Sequence, residues 1–123
     1  MCLLFDSTSL IVSFVFLLRT CECCTQIDLS DNVLCGINKY GQGNYNADGI
    51  KAIAHAVSVS ASLTSINLKC NDIVPESAKH IAEGISVSAS LRTADLRHNC
   101  FDFSAKEELR YAVRHRAFFQ LDV

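Results

Sequence analysis

The sequence predicts an α/β fold: a short solenoid with parallel strands on its concave side and helices on its convex side. Two observations carry this. The hexapeptide Ser-Val-Ser-Ala-Ser-Leu stands at 58–63 and again at 86–91, an offset of 28 residues. Around both copies the same order recurs, an apolar helical stripe before the hexapeptide and an alternating apolar stretch after it. A fixed period of about 20–29 residues marks units too small to bury a core alone, which stack to share one.

Each strand half follows from its spacing. The chain reads Leu63, Ile66, Leu68, Asn71, Ile73, and then Leu91, Ala94, Leu96, Asn99, Phe101. An earlier copy reads Cys24, Ile27, Leu29, Asn32, Leu34, with cysteine in the first leucine's place. Apolar residues at relative positions 4 and 6 alternate as a strand requires, and those at 3, 5 and 7 point outward. Strands are expected near 27–29, 66–68 and 94–96.

Each helix half follows likewise. Ile50, Ile53, Ala54 and Val57 fall at i, i+3, i+4 and i+7, one face of an amphipathic helix. Ala78, Ile81, Ala82 and Ile85 repeat the pattern 28 residues on, and Ala105, Leu109, Ala112 and Val113 keep it more loosely. Helices are expected near 48–59, 76–87 and 104–116. Between strand and helix of the first copy stand 11 extra residues, 36–46, rich in glycine and asparagine and read as a loop insertion on one rim.

The recurring asparagines have a mechanical task. Where a strand turns away between stacked units, backbone groups are buried and need partners. Asn32, Asn71 and Asn99, each offering donor and acceptor, are read as a structural asparagine ladder.

With these residues in view, the stretch 24–118 resembles leucine-rich repeats of the ribonuclease-inhibitor type, as found in NOD-like receptors and in repeat proteins of protists and algae. The resemblance rests on IDLSDNVLCG, GIKAIAHAVSVSASLTSINLKCNDI and SASLRTADLRHNC, and on a closing AKEELRYAVRHRAFFQLDV similar to the helix and short tail that cap such arrays. It implies about three repeats over 24–118, followed by a tail at 119–123. Cys24 for leucine, Ala94 for a larger residue and Ser77 where glycine often begins the helix depart from the pattern and imply locally imperfect packing.

Residues 1–23 form an apolar N-terminal segment whose centre is 10–18, LIVSFVFLL. The run is short for a membrane span. It lacks the basic start of a signal peptide, since the one charge before it is Asp6. Ile11, Phe14, Val15 and Leu18 also match the first helix at an offset of 39, as the helix of a half-present repeat would. Three readings stay open: a degenerate repeat helix, a signal or anchor, and a truncated start.

Little in the sequence points to chemistry. The seven cysteines are odd in number and scattered through the repeat, so Cys35, Cys70 and Cys100 are expected unbridged and Cys24 in the core. Cys21-Glu-Cys23-Cys24 has no second ligand pair near it in sequence, so no metal is expected. His55, His80, His98 and His115 stand apart from any nucleophile and orienting carboxylate, and no phosphate-binding glycine loop is present. The chain is therefore read as a non-enzyme without cofactor.

A net charge of −2 gives no general pull toward nucleic acid or anionic membrane. The basic residues of the last third are interleaved with acids and read as a solvated face.

What remains is a scaffold that binds an unidentified protein through its concave strand face. The outward positions Asp28, Ser30, Asn67, Lys69, Asp95 and Arg97 are its candidate contacts. The alternatives are a structural fragment of a larger repeat receptor and, if 10–18 acts as a signal, a secreted or membrane-anchored recognition protein. Otherwise the expected location is cytoplasmic.

Overall fold

The computed structural model describes residues 24–38 and 40–123. The N-terminal segment 1–23, with Ile11, Phe14, Val15 and Leu18, lies outside the described residues, as do Cys2, Cys21 and Cys23. In chain order the elements are β1 (Gln26–Asp28), α1 (Asp48–Val59), β2 (Ser65–Asn67), α2 (Ala78–Val87, entered through a 3-10 turn at Pro75–Ser77), β3 (Thr93–Asp95), α3 (Phe103–Ala112) and β4 (Gln120–Asp122). The four strands form one sheet in the order β1-β2-β3-β4, every pair parallel.

The register aligns Ile27, Ile66, Ala94 and Leu121 in one inward row. The first three are buried, and Leu121 packs half-buried against the core. The named strands are short, but their ladders run on. Leu29 and Asp31 donate their N–H groups to the carbonyls of Asn67 and Lys69, and Leu68 and Cys70 donate to Asp95 and Arg97.

Apolar stripes of the helices close the core. Ile50, Ile53 and Val57 of α1, Ile81 and Ile85 of α2, and Leu109 of α3 are buried against the inward strand residues. Each such side chain contributes about 1.5–3 kcal/mol by leaving water. Ala94, smaller than the isoleucines beside it, adjoins an apolar void of about 10 Å³ lined also by Ile66, Ile81 and Leu96. That is roughly the space of one water, with no polar group to hold it.

Helix starts are set locally. Asn46 Oδ1 accepts the N–H of Asp48 at 2.8 Å, and Asp102 Oδ1 accepts that of Ala105 at 2.8 Å. Such side chains satisfy N–H groups that a helix leaves unpaired. Before α2 the chain uses Pro75 instead, whose missing N–H costs nothing at a helical start.

Residues 119–123, expected to be a tail, contain β4. With Leu121 and Val123 packed against the core it keeps the alternation of the earlier strands, over too few residues for periodicity alone to reveal it. Cys24, Cys35, Cys70 and Cys100 are free thiols. Among the described residues, no helix is long and apolar enough to cross a membrane.

Gly84 sets the spacing of the helical layer. A Cβ there would lie 2.6 Å from the carbonyl oxygen of Ala54 and 3.0 Å from its Cα, both backbone atoms of α1. Alanine would improve helix propensity by about 1 kcal/mol. It would also force α1 and α2 apart, and overpacking of this kind costs about 1–3 kcal/mol. Gly84→Ala is expected to lower the denaturant midpoint, a net loss of about 1 kcal/mol. An unchanged or raised midpoint would show that the helices are not in this close contact.

Candidate functional site

The outward face of the sheet is built from three columns of side chains. The first holds Gln26, Ser65, Thr93 and Gln120, and the second holds Asp28, Asn67, Asp95 and Asp122. Ser30, Lys69 and Arg97 follow just past the strands. All of them are exposed or half-buried.

The second column has a structural task that sequence reasoning missed. Asp28 Oδ1 accepts the N–H of Ser30 at 2.9 Å, Asn67 Oδ1 that of Lys69 at 3.0 Å, and Asp95 Oδ1 that of Arg97 at 3.1 Å. The same bond, from a side chain to the backbone two residues on, recurs in three successive units. Asp or Asn at relative position 5 was the available signal.

Directly afterward the backbone enters the left-handed region at Asp31, Cys70 and His98, each with φ of 57°. A non-glycine residue there costs about 1–2 kcal/mol. The conformation turns the following asparagine inward.

The asparagines meet at this turn. Asn32 Nδ2 donates to Leu29 O at 2.8 Å, and Asn71 Nδ2 donates to the same oxygen at 2.9 Å and to Leu68 O at 3.0 Å. Asn99 Nδ2 in turn donates to Leu68 O at 3.0 Å and Leu96 O at 2.9 Å. Asn99 Oδ1 accepts the N–H groups of Asn71 and Ile73 at 2.9 and 3.1 Å. Asn71 Oδ1 is buried with no hydrogen-bond partner among the described residues.

Charges on the face are unequal in their freedom. Arg97 grips Asp95, the last residue of β3, with Nε to Oδ1 at 2.9 Å and Nη2 to Oδ2 at 2.7 Å. The pair holds the Asp95 carboxyl below its usual range and raises Arg97 above its own. Lys69, one unit away, forms no ion pair among the described residues. The Asp28 carboxyl is lowered mainly by the Ser30 hydroxyl, which donates to it at 2.5 Å, and further by the Ser30 N–H.

The rim where strands lead into helices carries the insertion. Within 36–46, Ile37 and Gly43 form an antiparallel bridge, and Asn38 N donates to Gln42 O at 3.0 Å. Gly36, at φ of 76°, leaves no room for a Cβ, which would lie 2.3 Å from Asn44 O. Tyr45 reaches from this loop to Ser77, hydroxyl to hydroxyl at 3.0 Å, and Cys35 Sγ lies 3.6 Å from the same oxygen. Ser77 in glycine's place is thus buried but partnered. Burial raises the Cys35 thiol above its ordinary pKa, the opposite of what a reactive thiolate needs.

The histidines do not converge on a reactive group. His55 and His80 border a shallow groove of about 330 Å³ between α1 and α2, together with Lys51 and Glu83. No cluster of three metal-ligating side chains occurs among the described residues.

No family model and no curated protein matches the chain. Its backbone is similar to solved structures, two of which, both at 14% identity, are leucine-rich-repeat-like domains. Leiomodin-1 Actin-Binding Site 2 matches with a TM-score of 0.76, over 94% of this chain and 62% of that one. The tropomodulin C-terminal domain of Caenorhabditis elegans matches at 0.69, over 95% of this chain and 66% of that one. The chain therefore spans less than two thirds of the length of either. Together with the strand–helix repeat, the likeness establishes a leucine-rich-repeat-like α/β fold.

Both lowered carboxyls bear on acid stability. A depressed folded pKa contributes stability that is complete above the unfolded value, near 3.8, and is lost as pH falls through the folded one. Replacing Asp95 with asparagine keeps the turn acceptor but removes the charge held by Arg97. Asp95→Asn is expected to flatten the fall in stability below about pH 4, measured by urea unfolding at a series of pH values. An unaltered pH profile would remove the Arg97 pair as a contributor.

Proposed function

We propose that this chain is a non-catalytic scaffold of ribonuclease-inhibitor-type leucine-rich repeats, in the style of NOD-like receptors. In this reading its strands line the concave side of a short solenoid, and that face binds another protein. The observation that carries this is the outward sheet face. Four strands in register present polar side chains in straight columns, while the opposite side of the sheet is sealed by helices.

The similar Leiomodin-1 structure is, by its name, an actin-binding site, which supports a protein ligand and makes actin the first partner to try. Four free thiols in the described part favour a reducing, cytoplasmic setting.

Within the candidate contacts Asp28, Ser30, Asn67, Lys69, Asp95 and Arg97, the turn geometry separates two roles. Asp28, Asn67 and Asp95 shape the face through their backbone caps. Lys69 is the cation left to a partner, because Arg97 is already engaged. A surface of this extent suits a weak or transient contact.

The test is co-sedimentation with actin filaments, and, should that fail, affinity capture followed by measurement on the recovered partner. Lys69→Ser is expected to weaken binding severalfold, and Arg97→Ser less, since it also frees Asp95. Binding indifferent to both, yet lost on changing Tyr40 and Tyr45, would move the site to the loop rim.

A further inference from the structure

On the rim where helices lead into strands, we propose a second binding site that takes an acidic protein segment carrying an apolar side chain. The rim is built by the duplicated hexapeptide. Ser60 Oγ accepts the N–H of Leu63 at 3.0 Å, and Ser88 Oγ accepts that of Leu91 at 3.2 Å. The next serine joins the units: Ser62 Oγ donates to Cys24 O at 3.0 Å, and Ser90 Oγ donates to Leu63 O at 2.7 Å.

The register of β3 with β4 then puts Ala117 where Ser62 and Ser90 stand in the earlier units, and Phe118 where Leu63 and Leu91 stand. Alanine has no hydroxyl to give. The orphaned acceptor, Leu91 O, is instead reached by Arg116 Nη2, while Arg116 Nη1 donates to Ile85 O at 2.8 Å. Arg92 Nη1 donates to Leu91 O as well, at 3.2 Å.

Two guanidiniums thus converge on one carbonyl oxygen, and neither has an ion pair among the described residues. Arg92 Nε and Nη2 and Arg116 Nε donate no hydrogen bond to any described residue. Partial burial and the neighbouring charge both lower the pKa of Arg116, and burial has the larger effect.

The surroundings select the ligand. Arg92, Arg116 and His115 border a groove of about 440 Å³ with Ser88, and no carboxylate lines it. Two like charges held this close repel, and a carboxylate between them would offset the repulsion while using the idle N–H donors. Phe118 stands at the lip with 94% of its surface exposed, and Phe119 lies under the Arg116 guanidinium at 4.7 Å. Arginine beside an exposed aromatic is the composition of an interface centre, which a site for bare phosphate would not need. This groove shares no residue with the strand-face contacts, so the two proposals stand or fall separately.

The probe is a capped peptide, Gly-Glu-Glu-Phe-Glu-Glu-Gly, titrated into the full chain and followed by amide NMR shifts. Its glutamine counterpart and inorganic phosphate are run in parallel. Shifts centred on Ser88, Arg92, His115 and Phe118 are expected, with the glutamine peptide roughly tenfold weaker. Arg92→Ser, a change at an exposed side chain, is expected to weaken the glutamate peptide roughly tenfold, and Phe118→Ser roughly threefold. The proposal is overturned by equal binding of the two peptides, by shifts confined to the strand face, by no peptide binding, or by phosphate binding where the peptide does not.

Discussion

Everything in this fold depends on how the leucine carbonyls at the strand exits are satisfied. Leu29 O and Leu68 O lie where the chain leaves the sheet, too deep for water. Each accepts two asparagine N–H bonds, one from its own unit and one from the next. A buried carbonyl left unpaired costs about 1–3 kcal/mol, so the second bond is a strong reason for one unit to sit on another. The left-handed turns at Asp31, Cys70 and His98 are strained, and they are kept because they deliver those amides.

The opposite rim follows the same logic with serine. Ser62 and Ser90 each commit a hydroxyl to the carbonyl of the preceding unit, so both edges of the stack are fastened across units. At the last strand the pattern runs out: Ala117 offers no hydroxyl, and Arg116 takes over. A neutral acceptor is thereby given a charged donor, and a charge concentrated at one rim invites an acidic partner. With both rims committed to fastening, the sheet face is free to vary, and only its second column is held back for turn caps.

Much of this is legible in the sequence because repetition is a strong signal. Positions 4, 6 and 11 of each unit place the core, and the parallel α/β order follows from the 28-residue offset. What is not legible lacks repetition or needs geometry. The strand β4 is three residues long with one inward residue within it, Leu121, so by pattern alone it reads as tail. Ser77 looks like a packing flaw because its partner, Tyr45, belongs to an insertion 32 residues away. Lys69 and Arg97 look alike by column, yet the Asp95 carboxylate two residues before Arg97 distinguishes them. Arg116 counts among the solvated charges in sequence, since nothing local shows that Leu91 O needs a donor.

The measurement closest to the central claim is equilibrium unfolding of Asn71→Ala, the middle rung of the ladder. Its side chain supplies donors to Leu29 O, Leu68 O and Lys69 O across two units. If those bonds hold the units together, the variant loses about 2 kcal/mol. The Asn71 Oδ1 that already lacks a partner among the described residues keeps the loss from being larger. Amide exchange should then quicken first at Leu29 and Asp31, whose N–H groups cross from the first unit to the second. Stability within about 0.5 kcal/mol of the parent, with exchange unchanged at those amides, would contradict the account.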